Sequence, residues 1–397
     1  MNKNTIIGIV IFVLIIGAIV LYKFLSKEGG VLDTSLTTVY VATGGGKENF
    51  IEDEEVLAIL RKEYKINVVF DTWSNSKTVS LPLIREEVGY GNKDIIQKIE
   101  RGDKVTINTE GVTKYDALFT SDIRYYEYYK QKPDKEKNEA DRYTVLGGGL
   151  TLNTPIVFYS WDKIVDALIA HGIAEEKDGI YYVTDMDQLV DIILNGKKWS
   201  ELGVTDDIYG NVSISSIDPV KSSPGATYYG LLLAILSKGE LTEANVKANM
   251  PKLKELYIKS GNMKFTPADL FQEYPRAGMG TQKIIVDYEK SIIDFLNSNP
   301  RGFEQVKDRI RILYPKPTSW NNHCYMYFTE NGEKLYKAFE ENERIQQIAW
   351  EKYGFRTGIT GGKYDVSKIG IKVPQEITST VPGLKMAEYN ALIDGLK

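Results

Sequence analysis

The chain has 397 residues, 43% of them apolar and 26% charged, a globular balance that excludes wholesale disorder and suits two compact units or one large split one. Its 49 basic and 54 acidic residues leave a net charge of −5, which argues against nucleic acid as a partner. A single cysteine, Cys324, excludes an internal disulfide, a cysteine zinc cage and an iron–sulfur centre, and two histidines, His171 and His323, leave little material for metal or triad chemistry.

The first pattern along the chain is the charge-free run Ile6 to Tyr22. At about 1.5 Å per residue it makes roughly 26 Å of helix, near the thickness of a bilayer core. Lys3 precedes the run and Lys23 and Lys27 follow it, so flanking charge leaves the orientation open. Tyr22-Lys23-Phe24-Leu25 lacks the small residues of a cleavage site, and no lipoprotein cysteine follows the run. Residues 1–30 therefore read as an uncleaved transmembrane anchor with a short tether, Ser26 to Gly30.

Strand and helix patterns then alternate. Thr37 to Thr43 and Ile66 to Asp71 are β-rich, and between them Phe50 to Tyr64 has helical spacing with acids Glu52 to Glu55 in its first turn. Asp94 to Glu100 reads as helix and Tyr115 to Thr120 as strand; Tyr125 to Arg142 is a tyrosine and charge run that reads as a solvated excursion. Thr154 to Trp161 is a strand, and the helix Asp162 to Ala170 ends at His171-Gly172. A second series places strands near Tyr181 to Val183, Val212 to Ile217 and Gln282 to Tyr288. Its helices lie near Asp187 to Leu194, Thr227 to Leu236, Asn245 to Lys259 and Lys290 to Asn297. Ile310 to Tyr314 is a strand, Gly332 to Tyr353 one long helix, and the tail after Gly361 a surface wrap. The alternation predicts an α/β sheet with mostly parallel strands.

Several stretches in this order resemble an extracellular solute-binding protein of the type II periplasmic-binding fold. They are Tyr115 to Asp122, Thr154 to Trp161, Asp218-Pro219 with Ser222 to Gly225, Ile312 to Pro315, Gln347 to Trp350 and Tyr353 to Arg356. The resemblance covers most of residues 36 to 360. It implies two α/β lobes joined by hinge strands, with a ligand in the cleft: lobe one from 36–155 and 315–397, lobe two from 156–312. Unlike the usual lipoprotein members, this chain is expected to be held by its helix.

In such sheets, ligands meet loops at the carboxyl ends of strands and helix N-termini. Gly44-Gly45-Gly46-Lys47 follows the first strand and lacks P-loop spacing; it is a plain turn or a binding loop. Trp73-Ser74-Asn75-Ser76-Lys77 offers a stacking ring, hydroxyls, an amide and an ammonium. Ser121-Asp122 is a ligand contact or a cap. Ser222-Ser223-Pro224-Gly225-Ala226-Thr227 is a good helix start in itself, and the resemblance turns it toward the ligand. Gly280 and Thr281, and Tyr288 beyond them, complete the expected contacts.

There is no H-E-x-x-H, G-x-S-x-G or complete Walker A motif. His323-Cys324 reads as a buried or hinge-side pair, Asp185 as a helix cap, and Asp187 and Asp191 as the polar face of that helix rather than a metal site. The expectation is a binding protein with no cofactor, metal or catalytic residue. It takes a small polar or anionic solute and works with an ABC-type permease in uptake or in sensing. A surface interaction scaffold on the same fold is the alternative.

Overall fold

β1 (Thr37–Gly44) alternates into a wholly buried end, and α1 (Glu48–Ile51) follows directly. The computed structural model describes residues 36–73, 115–121, 123, 124, 126, 145–204, 208–220, 222–261, 267–357 and 364–397. α2 (Glu54–Tyr64) starts where the Asp53 carboxylate accepts the amides of Glu55 and Val56 at 2.9 and 3.1 Å. Glu54 and Glu55 at its start and Arg61 and Lys62 at its end suit the helix dipole. The helix expected over 50–64 is thus two helices, split by a cap.

β2 (Ile66–Trp73) pairs parallel with β1, and β3 (Ala117–Thr120) pairs parallel on its other side. β4 (Gly147–Trp161) is long and buried over its second half. Then come α3 (Asp162–Ala170), β5 (Ala174–Lys177), β6 (Ile180–Val183), α4 (Met186–Leu194), α5 (Ser223–Leu236), α6 (Glu243–Lys259) and α7 (Pro267–Thr281). β7 (Ile284–Tyr288), α8 (Lys290–Ser298), α9 (Pro300–Val306), β8 (Ile310–Pro315) and β9 (Trp320–Tyr327) follow, with α10 (Glu330–Glu341), α11 (Glu343–Tyr353) and α12 (Met386–Leu396) last.

The strands run in the order β2-β1-β3-β9-β4-β8-β6-β5, with β7 on the other edge of β4. β4 organises the sheet. Its first half, from Gly147 to Pro155, pairs with β9, and its second half pairs with β8 and β7. Gly148 has φ +144°, and a Cβ there would meet the Tyr325 carbonyl at 2.1 Å, so glycine lets β4 lie close on β9. Two hydrophobic cores flank this strand. The first gathers Val41, Phe119 and Tyr325 of the sheet with Phe50, Leu60, Phe339 and Ile348 of the helices. The second gathers Val157, Trp199, Leu232, Ile285 and Leu313.

Four expectations are corrected. The sheet is mixed: β1·β2, β1·β3 and β6·β8 are parallel, but β3·β9, β4·β7, β4·β8, β4·β9 and β5·β6 are antiparallel, because β7, β8 and β9 run against β4, β9 also runs against β3, and β5 and β6 form a hairpin. Residues 212–217 make isolated bridges beside β7, such as Ser215 with Ile285, rather than a full strand. The helix expected over 332–353 is broken at Asn342, whose ψ of 106° is extended and whose side chain accepts the Ile345 amide at 3.0 Å. The last helix, α12, expected with the first lobe, packs on α5 and α6, its Leu392, Ile393 and Leu396 buried in the second core. The expected anchor, 6–22, lies outside the described residues; among those described, no helix is long and apolar enough to cross a membrane.

Candidate ligand-binding site

The register of the sheet steps from the end of β1 toward the middle of β4, with Asn322 two residues beyond Cys324 along β9. β1 ends at Gly44, β3 ends at Thr120 opposite Cys324, and Asn322 of β9 faces Asn153 of β4. On the far edge of β4, the Asn153 amide donates to the Arg356 carbonyl at 2.7 Å, and the Arg356 amide returns the bond at 2.8 Å. This path is polar, although both cores lie beside it.

At the β1 end the glycine loop is tied inward. The Lys47 ammonium donates to the Gly44 carbonyl at 2.6 Å and to the Ser121 hydroxyl at 3.1 Å, and Ser121 donates to the Gly45 carbonyl at 2.7 Å. The Gly46 amide donates to Glu48 at 2.7 Å. Lys47 is 1% exposed and sits 4.9 Å over the Phe119 ring. Burial pushes its ammonium down to about 7, with nearby Glu48 opposing weakly. The expected grouping of Gly44, Gly45, Gly46, Lys47 and Ser121 is therefore present, held by the lysine itself.

In the middle of this path, His323 is buried with Nε2 3.1 Å from the Asn321 amide nitrogen and its ring against Phe355. Burial, then the charges of Lys47 and Lys290, hold its imidazole well below the usual histidine range, so it is neutral. Thr151 Oγ1, both amide atoms of Asn153, Asn322 Oδ1, His323 Nδ1 and Thr357 Oγ1 are buried without a hydrogen-bond partner. Buried polar atoms are almost always paired, so the Asn153 and Asn322 amides, set side by side on one face of β4 and β9, mark a place suited to something polar, while the His323 ring lies on the other face. Sequence reading missed Asn153 and Asn322. The polar run Asn321-Asn322-His323 inside a strand was the available signal.

The second half of the chain reaches the same region through β7. Ser215 bridges Ile285 in parallel, so the chain leading to α5 runs alongside β7. The Ser222 hydroxyl makes no cap bond at the head of α5, although Ser222 is the N-cap residue. Gly225 packs tightly: a Cβ there would lie 2.4 Å from the Ile217 carbonyl, so its described role is close packing of α5 on 217–219. Thr227 stands in the first turns of α5, and Tyr288 is buried. Lys290 opens α8, its amide donating to Thr154 Oγ1 at 3.3 Å and its ammonium paired with Asp294.

Gly280 and Thr281 are not brought to this place. They are exposed at the end of α7, before β7 begins, while Tyr288 is at its far end, about 15 Å on at strand rise. Ser74, Asn75, Ser76, Lys77 and Asp122 lie outside the described residues, as do the side chains of Trp73 and Ser223. Trp73 closes β2 level with Gly44.

A buried ion pair stands behind this path. Arg356 donates from Nε and Nη2 to the two Glu289 oxygens at 2.6 and 2.7 Å, and from its Nη atoms to the carbonyls of Gln375 and Pro374. Tyr314 donates to Glu289 at 2.6 Å. The pair joins the end of β7, the turn after α11 and the tail.

No family model matches the chain, and no curated protein matches it in sequence. Solved structures match in fold. An extracellular solute-binding protein from Bordetella parapertussis is 13% identical with a TM-score of 0.53, over 90% of this chain and 97% of that one. FutA of Trichodesmium, in complex with iron and citrate, is 10% identical with a TM-score of 0.51, over 91% and 97%. Iron-bound HitA from Pseudomonas aeruginosa is 11% identical with a TM-score of 0.50, over 91% and 97%. At such identities the likeness is one of architecture: the chain has the type II periplasmic-binding-protein-like fold of the extracellular solute-binding proteins.

Proposed function

We propose that this chain is a non-enzymatic, extracellular solute-binding protein that closes two lobes on a small polar or anionic molecule. The lobes are 36–155 with the return segment 315–357, and 156–312 with the tail that carries α12. Residues 6–22 anchor it to the membrane, and an ABC-type permease or a sensor partner receives the loaded form. The observation that carries the reading is the unpartnered buried amide atoms of Asn153 and Asn322 on β4 and β9, where the two cores meet. An enzyme needs a base or nucleophile set against a partner group; a binding protein needs hydrogen-bonding groups waiting for a guest, which these amides supply.

Three crossings of the chain, through β4, through residues 316–319 and through the tail after Arg356, form the hinge, and a hinge permits closure driven by differential contact with ligand. The neighbours of similar fold support the class of function, and the solute is this chain's own. Native mass spectrometry of the full chain from its producing cell, in detergent, tests the reading. The expected spectrum shows one small molecule retained by the wild type and lost from Asn153→Leu. A bare chain mass in both would overturn it.

A further inference from the structure

We propose that the cavity between β6, β8 and the tail is a second binding site, one that takes a small zwitterion with a compact aliphatic body, such as leucine. None of the candidate ligand contacts above lines this cavity, and the proposal stands apart from the solute-binding reading.

Register and a fastened tail build the cavity. Lys177 of β5 faces Ile180 of β6, and Tyr182, two residues on, faces Tyr314 of β8. Alternation along the strands puts all four on one face of the sheet. The tail forms another wall, from Pro374 to Ser379, and is held at three places. Lys372 donates to the Asp178 carbonyl at 3.3 Å, Arg356 donates to the Pro374 and Gln375 carbonyls, and the Ser379 carbonyl and Val381 amide bond to Thr318. Between these fastenings the tail stands off from the two tyrosines, and a cavity of 210 Å³ remains. Close packing leaves few voids larger than a water in a protein, so an opening whose walls are held by hydrogen bonds is a formed site. Its volume is below the roughly 300–1,000 Å³ of pockets for drug-sized ligands, which limits the guest to a small molecule.

The lining sets the chemistry. Tyr314, Pro315 and Pro374 are buried, and Ile180 and Ile377 are half-buried beside them, which makes an apolar bed. Charges stand at the rim. The Lys316 ammonium is already used: it pairs with Glu175 at 3.0 Å and lies 3.6 Å from the centre of the Tyr182 ring. The exposed Lys177, Asp178 and Glu376 line the same cavity, yet their charged groups form no ion pair with one another or with any other described residue. A guest with an ammonium and a carboxylate meets the two acids with one and Lys177 with the other. A simple anion faces both acids, and a simple amine faces the lysine, so each leaves a like charge opposed. An aliphatic side chain on the guest falls on the isoleucines and tyrosine rings, where its burial is favourable.

Isothermal titration of the full chain in detergent, at neutral pH and constant ionic strength, tests the site. L-leucine should bind. Isoamylamine and isocaproate share its body but carry one charge each, and they should bind roughly tenfold more weakly. Glycine, with both charges and no body, should give no heat. Lys177→Met should bring leucine down to the affinity of isoamylamine. Asp178→Asn with Glu376→Gln should bring it down to that of isocaproate; asparagine suits the φ of +56° at that turn, so the hairpin is kept. Both variants change exposed side chains and should melt with the wild type. No heat with leucine overturns the proposal, as does an amine or a carboxylate that binds as tightly. Leucine affinity unchanged in both variants also overturns it, because the guest would then sit elsewhere on the molecule.

Discussion

Asp287 and Lys47 titrate in opposite senses. Burial pushes the Asp287 carboxyl up to about 8, with the Tyr288 amide and the charge of Lys290 opposing and Asp294 adding to the shift. The folded state thus holds a proton that the unfolded chain releases near its ordinary value of 3.8, and stability falls as pH rises through that window to about 8. Lys47 runs the other way: its folded value is about 7 against 10.5, so stability recovers as pH rises from about 7 to 10.5. Asp287→Asn removes the first dependence. Its melting temperature should exceed that of the wild type at pH 8 and match it near pH 4, as read by scanning calorimetry. Equal differences at both pH values would show that Asp287 titrates normally.

At the scale of the element, Asn342 decides where one helix becomes two. It accepts the Ile345 amide and donates to Glu63 at 2.9 Å, tying the head of α11 to α2. Asn342→Ala should cost about 1 kcal/mol, the usual worth of an N-cap, seen as a lower urea midpoint with an unchanged slope. An unchanged midpoint would mean the two helices can fuse without loss. The same rule was readable elsewhere: Asp185 caps α4 by accepting the Gln188 amide at 2.8 Å, as its position before an apolar run suggests. Asn342 escaped notice because the apolar spacing continues on both sides of it, and periodicity reports a face rather than a break.

For the whole molecule, the Arg356–Glu289 pair is the fastening between parts distant in sequence. Both side chains are buried, at 1% and 0% exposure, and the guanidinium also holds the tail through the Pro374 and Gln375 carbonyls. Farther along, the tail bridges Thr318 at the second crossing, Thr318 donating its amide to the Ser379 carbonyl and accepting from Val381. Arg356→Met leaves a buried carboxylate uncompensated and should cost about 3–5 kcal/mol. The double variant Arg356→Met with Glu289→Gln should recover part of that loss. Urea unfolding of the three proteins measures it, and a double variant no better than the single would show that the carboxylate is not the source of the cost.

The sequence by itself determined the local elements: the β-branched run ending at Gly44, the helix that stops at His171-Gly172, the serine and proline that open α5. Propensity, capping and spacing act over a few residues, so they can be read without knowing the partners. The ordered stretches that resemble solute-binding proteins also pointed to the fold, and the rule that ligands meet loops at strand ends singled out the glycine–lysine loop after β1 and Ser121 after β3. Only the tertiary structure decided that Asn322 faces Asn153 and that Lys47 turns inward onto Gly44 and Ser121. It also drew α12 onto α5 and α6. These depend on inter-strand register and on which apolar faces find each other across the chain, and both are set by hydrogen bonds and burial between segments that no local pattern links.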